Sequence, residues 1–347
     1  MIKVLVADDS TVVRELLVHI LDAAPEIQVI GTAQNGQEAI EAVRNKKPDI
    51  ITMDIHMPGM DGLEATRKIM ETWPTPIVVL SGSSTANDVA LTFRALEAGA
   101  LTVVARPNGI GHPDHEKTAK ELIQTVSLMS EVKVVRRWPR SQEKAPPPTP
   151  GGKVGKALPA IQVVALGAST GGPIALQTIL SGLPKDFPVP VLIVQHIAAG
   201  FVEGFALWLG QSSGFPVHIA SEGEYLLPGH AYVAPDGLLM MVKDRNRITL
   251  SRAEPKDGLR SSVSSLFNSV AQVFGQNTVG VLLTGMGNDG AKELKLMKEK
   301  GAITIAQDEA SSIVYGMPGE AVKLSAATYV LPPEKIAALI VSLVKGN

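Results

Sequence analysis

The sequence predicts an α/β protein built from two doubly wound parallel-sheet units. Short apolar runs alternate with helix-period segments through both halves of the chain. Acids, hydroxyls and other reactive side chains recur where those runs end, the edge at which open parallel sheets bind ligands. A Pro/Gly/Arg-rich stretch with little to bury separates the halves.

Within residues 1–130 the strand candidates are Ile2 to Ala7, Val29 to Ala33, Asp49 to Met53, Ile77 to Leu80 and Leu101 to Ala105. Val12, Val13, Leu16, Leu17, Ile20 and Leu21 recur at helical spacing and predict one apolar stripe. Residues 131–159 carry Arg136, Arg137 and Arg140, then Pro146-Pro147-Pro148, Pro150 and Gly151-Gly152, and read as an extended linker. Over 160–347, Ile161 to Leu166, Val189 to Val194, Thr278 to Leu283 and Ala302 to Ala306 read as buried strands. Val263, Leu266, Phe267 and Val270 form one helix face. Ile336, Leu339, Ile340 and Leu343 form another, started by Pro332-Pro333. Short alternating runs between Phe215 and Leu250, with turns such as Pro235-Asp236-Gly237, predict inserted antiparallel hairpins.

Bulk composition narrows the function. At 347 residues there is room for about two domains. With 45 % hydrophobic and 19 % charged residues the chain is globular and not disordered. A formal charge of -2 argues against a nucleic-acid-coating surface. The absence of cysteine excludes disulfides, thiolate nucleophiles and thiolate zinc sites. No signal peptide is legible after Met1, and no apolar run approaches the ~18 residues that span a bilayer. The expectation is a soluble, cytoplasmic protein with no nucleic-acid partner and no membrane insertion.

In the first half, Asp8 and Asp9 end the first strand and Asp54 follows the third. Three carboxylates converging on one sheet edge repel unless a hard cation sits among them, and all-oxygen ligation favours Mg²⁺. Ser81 ends the fourth strand and offers a phosphoryl oxygen a hydrogen bond; Arg106 ends the fifth and offers it a positive charge. Val6-Ala7-Asp8-Asp9-Ser10, Met53 through Gly62 and Gly99-Ala100 through Arg106-Pro107 resemble the response-regulator receiver domain, a flavodoxin-like fold. The resemblance implies that Asp54 is the phosphoacceptor and that Asp8 and Asp9 join it in holding Mg²⁺. The sequence departs from the family at Arg106, usually lysine, and at Val103, often aromatic.

In the second half, Gly167-Ala168-Ser169-Thr170-Gly171-Gly172 follows an apolar strand. It matches G-x-S-x-G, which presents a serine at a strand-to-helix turn, and equally a dinucleotide phosphate loop. Two checks favour the serine. The next strand ends in Gln195-His196 with no ribose-binding acid, and no tyrosine has a lysine four positions later. His196 closes an apolar strand and can accept the Ser169 proton. His218 lies within a strand face and His230 in a turn, so both read as structural. Asp289, in Gly285-Met286-Gly287-Asn288-Asp289-Gly290, is the orienting carboxylate, although Asn288 and Asp289 also suit capping of the next helix.

These motifs, with Tyr232-Val233-Ala234-Pro235 and Val314-Tyr315-Gly316-Met317-Pro318, make the second half similar to the chemotaxis protein-glutamate methylesterase, a Rossmann-like hydrolase domain. The resemblance implies hydrolysis of glutamate γ-methyl esters on methyl-accepting chemotaxis receptors, releasing methanol, together with glutamine deamidation. It implies no cofactor for the ester reaction, and phosphotransfer from the chemotaxis histidine kinase. Backbone N–H groups near Thr170 and around Met286 are candidates for the oxyanion hole, Met286 being also the family's position. The competing class is a phosphorylation-switched adaptor that only binds, and an esterase assay separates the two.

Overall fold

The computed structural model describes residues 1–82, 85–132, 134, 160–252 and 262–345. Two compact units divide the chain, Met1–Glu143 and Lys144–Asn347. The linker read over 131–159 falls almost wholly outside the described residues.

The first unit alternates strand and helix five times: β1 (Ile2–Ala7), α1 (Thr11–Asp22), β2 (Ile27–Ala33), α2 (Gly36–Lys46), β3 (Ile50–Asp54), α3 (Gly62–Thr72), β4 (Ile77–Ser81), α4 (Ala86–Ala98), β5 (Thr102–Ala105) and α5 (His115–Ser130). All pairings are parallel, in the order β2-β1-β3-β4-β5. β3 and β4 are buried at every position, which is why they read as continuous apolar runs without alternation. The α1 stripe buries Leu17, Ile20 and Leu21, but Val12 is 75 % exposed. Arg14, in phase with Leu17 and Leu21, takes the buried place in the first turn.

The second unit runs β6 (Val163–Ala168), α6 (Gly172–Ser181), β7 (Val191–Gln195), α7 (Val202–Ser213), β8 (Val217–Ile219), β9 (Ala231–Val233), β10 (Leu238–Asp244) and β11 (Arg247–Arg252). It continues with α8 (Val263–Val273), β12 (Thr278–Leu282), α9 (Ala291–Glu299), β13 (Ile303–Gln307), α10 (Met317–Lys323), β14 (Tyr329–Leu331) and α11 (Pro333–Lys345). Seven strands form one parallel sheet, ordered β14-β13-β12-β6-β7-β9-β8. Helices α6, α7 and α11 pack together, as do α8, α9 and α10. The region expected to hold several hairpins holds one, β10–β11. Val217–Ile219 and Ala231–Val233 instead join the main sheet in parallel, because three-residue runs are too short to declare a direction.

β6 lies at the centre of this order, between β12 and β7. The chain therefore reverses its winding beside β6, and three neighbouring strands open their C-terminal ends onto one crevice.

Candidate functional site

At the first rim, strand order brings the predicted acids together. β1 pairs with β3 and β3 with β4, so Asp8, Asp9 and Asp54 emerge side by side. One carboxylate oxygen from each lies within 4.8 Å of the others. Asp8 and Asp54 are buried, at 0 % and 5 % exposure, whereas Asp9 is exposed. Burial, reinforced by the Asp8 charge, pushes Asp54 up to about 6, with Arg106 opposing. Burial raises Asp8 as well. The cation that opposes both is Arg106, whose Nη2 lies 2.9 Å from Asp8 Oδ2 and 3.2 Å from Asp54 Oδ1; Arg14 adds a weaker pull on Asp8. Ser81 is at the same rim: its carbonyl accepts the Arg106 N–H at 2.8 Å, and Thr92 Oγ1 lies 3.4 Å from its hydroxyl.

Sequence reasoning missed Arg14. Its Nη1 donates to the carbonyls of Asp8 at 2.7 Å and Asp9 at 2.9 Å, and its Nη2 to Thr11 Oγ1 at 2.9 Å. The guanidinium pins the backbone that carries both acids. A charged residue in phase with an apolar stripe was the available signal, since a buried charge demands partners.

At the second rim, β6 and β7 run in register with Ala168 opposite Gln195, so Ser169 and His196 are the first residues beyond each strand. The His196 N–H donates to the Ala168 carbonyl at 2.9 Å. From the other side, β12 delivers the loop that carries Asp289. The Ser169 N–H donates to the Thr284 carbonyl at 3.0 Å, and Thr284 Oγ1 donates to the Thr170 carbonyl at 2.9 Å. Gly285 allows the close approach, for a Cβ there would lie 2.6 Å from the Ser169 Cβ.

His196 Nε2 and Asp289 Oδ2 are 2.9 Å apart. Both side chains are sheltered, at 16 % and 9 % exposure. Asp289 Oδ2 also accepts the Val263 N–H at 2.8 Å; Oδ1 accepts the Ser264 N–H at 3.0 Å and the Ser262 hydroxyl at 3.3 Å. Burial works to raise this acid, but hydrogen bonds from His196 and Ser264 prevail and hold it down at about 2. It is ionised at neutral pH and can only accept, so the proton of a neutral imidazole resides on Nε2 and Nδ1 is left basic.

The capping expectation for Asp289 is corrected here. Its carboxylate meets the first N–H groups of α8, not those of α9, where Gly290 occupies the N-cap without a side-chain bond. The part that Ser262, Val263 and Ser264 play in holding Asp289 escaped the sequence reading, which places Val263 only on a helix face, because α8 begins some 26 residues before Asp289. The run Ser261-Ser262-Val263-Ser264-Ser265, ahead of an apolar face, was the available signal for its N-terminus.

Among the described residues, no hydrogen bond joins Ser169 to His196, and the N–H groups of Thr170 and Met286 donate none. Met286 is exposed on its loop, at 57 %. His218 and His230 stand apart from these groups and bond each other, Nε2 to Nδ1, at 2.7 Å.

Known proteins match both units. The CheB methylesterase family matches residues 164–340, and the response regulator receiver domain matches residues 4–112. A Nitrosospira multiformis protein-glutamate methylesterase/protein-glutamine glutaminase is 58 % identical over 99 % of this chain and 97 % of its own length. A Geobacter metallireducens protein of the same description is 57 % identical over 99 % of both chains. The crystal structure of the Thermotoga maritima CheB methylesterase catalytic domain is 34 % identical, with a TM-score of 0.51, over 53 % of this chain and all (100 %) of that one. An α/β unit with reactive groups at its strand ends, preceded by a receiver and matched over its whole length by such relatives, belongs to the protein-glutamate methylesterase/protein-glutamine glutaminase family.

Proposed function

We propose that this chain hydrolyses glutamate γ-methyl esters on methyl-accepting chemotaxis receptors, releasing methanol, and deamidates receptor glutamines by the same acyl chemistry. Ser169 is the nucleophile, His196 the general base and acid, and Asp289 the orienting carboxylate. The observation that carries this reading is the 2.9 Å contact between His196 and a carboxylate that three further donors hold in place, with Ser169 and His196 each the first residue beyond the paired strand ends.

In the first step Ser169 Oγ attacks the ester carbonyl as its proton passes to His196 Nδ1. The imidazolium is stabilised by Asp289, which stays ionised. The N–H groups of Thr170 and Met286 receive the developing oxyanion; one such donor is typically worth roughly 2.7–4 kcal/mol of transition-state stabilisation. Collapse expels methoxide, which takes the proton from Nδ1 and leaves as methanol. Water then attacks the acyl-enzyme and gives one proton to Nδ1. Collapse breaks the acyl–Oγ bond, Ser169 Oγ takes that proton back, and the glutamate leaves as a carboxylate with its remaining proton lost to solvent. A glutamine side chain follows the same route with ammonia as the leaving group.

Phosphorylation of Asp54 by a chemotaxis histidine kinase regulates this activity. The acids at that rim suit Mg²⁺: three carboxylates converge, and burial holds two of them above their ordinary value, so their negative charge is under-compensated. Asp8, Asp9 and Asp54 would hold the ion, which screens charge between the incoming phosphoryl group and the acceptor. Arg106 supplies the protein's own cation there, and Ser81, the last residue of β4, offers a phosphoryl oxygen its hydroxyl.

The test is methanol release from methylated receptor fragments, with and without a small-molecule phosphodonor. Ser169→Ala should abolish release with the fold intact, and the phosphodonor should alter the rate of the parent but not of Asp54→Asn. Near-normal turnover by Ser169→Ala removes Ser169 as nucleophile.

A further inference from the structure

Gln195 is the last residue of β7 and lies where both reactive turns leave the sheet. Its side chain is buried, with 5 % exposure. Its amide nitrogen donates to the carbonyl of Ser169 at 2.8 Å and to the carbonyl of His196 at 2.8 Å. Only the amide nitrogen can face two carbonyl oxygens, so the orientation of the group is determined. Its oxygen is thereby turned against Gly172, where a Cβ would sit 2.1 Å from it. Among the described residues that oxygen is buried and has no hydrogen-bond partner.

Packing alone does not account for this side chain. A methionine would fill the same length without burying an unpaired acceptor, which is unfavourable. The two carbonyls it bridges belong to the two residues that the proposed reaction requires at a fixed separation. The β6–β7 ladder ends with the His196 N–H on the Ala168 carbonyl. Beyond that rung the Gln195 amide is the next link between the strands, and it crosses directly from one turn to the other. We infer that Gln195 is a positioning residue for the ester reaction, a buried amide that ties the Ser169 turn to the His196 turn and sets the approach of Oγ to Nδ1. It touches no substrate and acts through the backbone. The inference rests on the triad reading of the site.

The full-length chain tests it, with methanol release resolved into kcat and KM. Gln195→Met keeps the length and removes the donor. Its kcat should fall by about 10- to 100-fold, the scale on which small misplacement of reacting groups is felt, with KM nearly unchanged. Gln195→Glu sets a carboxylate against two carbonyls, and protonation returns one O–H donor. The ratio of its kcat to that of Gln195→Met should therefore grow as the pH is lowered, which a loss of packing would not produce. Gly172→Ala guards against a misfolded Met variant: its Cβ displaces the amide without deleting it, and should reproduce the kcat loss at constant KM. Parental kcat in Gln195→Met or Gly172→Ala, a defect confined to KM, or a pH-independent ratio overturns the inference. Ser169→Ala run alongside separates the failures. If it remains active, the triad reading falls; if it is dead while the Gln195 variants match the parent, only the positioning role falls.

Discussion

Replacing Asp289 by asparagine preserves shape and inverts one polar group, and the structure says what that inversion meets. Oδ2 accepts from His196 Nε2 and the Val263 N–H; Oδ1 accepts from the Ser264 N–H and the Ser262 hydroxyl. An amide NH₂ on the Oδ1 side confronts the Ser264 N–H, which cannot turn away as a hydroxyl can. On the Oδ2 side it confronts the Val263 N–H and forces His196 to accept at Nε2, which moves the ring proton to Nδ1 and removes the base. Either arrangement strands a buried donor, at a cost of roughly 1–3 kcal/mol. The acid's fall from 3.8 to about 2 gives a similar figure, on the order of 2 kcal/mol. Because the folded value is depressed, that stabilisation is present above 3.8 and is lost as the pH falls through about 2. Asp289→Asn should therefore unfold more easily at neutral pH, with the gap closing in strong acid. Its kcat for methanol release should drop by on the order of 10⁴, the size of effect a wrong imidazole tautomer produces. The assay is steady-state methanol release beside urea denaturation across pH. A folded Asp289→Asn enzyme with kcat lowered less than about tenfold would show that Asp289 does not set the His196 tautomer.

Two further outcomes follow from the packing and charge of the two rims. Gly285→Ala inserts a Cβ 2.5 Å from Met317 Sδ and 2.6 Å from the Ser169 Cβ. It should cost about 1–3 kcal/mol of stability and reduce turnover, measured by thermal unfolding and methanol release; parental values in both would refute the close approach. Asp54 is raised from 3.8 to about 6, so its ionised form carries a penalty that is absent below 3.8 and complete above about 6. Asp54→Asn should slow amide exchange in β1 and β3 near about pH 8 without Mg²⁺, by up to about 3 kcal/mol in opening free energy, and Mg²⁺ should stabilise the parent more than the variant. Equal protection at that pH would contradict the charge strain assigned to this rim.

Both rims were legible as lists of residues, and for one reason. Strand interiors such as Ile51-Thr52-Met53 and Val191-Leu192-Ile193-Val194 have almost no chemistry to offer, so a polar residue at a strand end stands out against them. Asp54, Ser81 and His196 were found this way, and each lies at a strand's C-terminal end. Side-chain direction was harder. Val12 matched the helical period and is exposed, whereas Arg14, left out of the apolar stripe, is buried against two carbonyls. Periodicity identifies a face but not how far along the helix that face remains covered. Asp289, expected to orient the imidazole, was also thought to suit capping of the helix that follows it; its carboxylate meets the N-terminus of the helix that precedes it, because capping rules consider neighbours in sequence.

The sequence by itself determined the two α/β units, the strand ends that carry the reactive groups, and the family. These depend on patterns confined to short stretches: apolar runs a few residues long, a glycine-rich turn, an Asp pair. The tertiary structure decided which atoms meet. It seated Asp289 on the N-terminus of α8, gave His196 Nε2 to that acid and so left Nδ1 basic, and laid one buried amide across the Ser169 and His196 carbonyls. Apart from the bond between the neighbours Gln195 and His196, such contacts join residues 26 to 93 positions apart. They arise only when strand order and register bring the C-terminal ends of β6, β7 and β12 together, and no local pattern encodes that order.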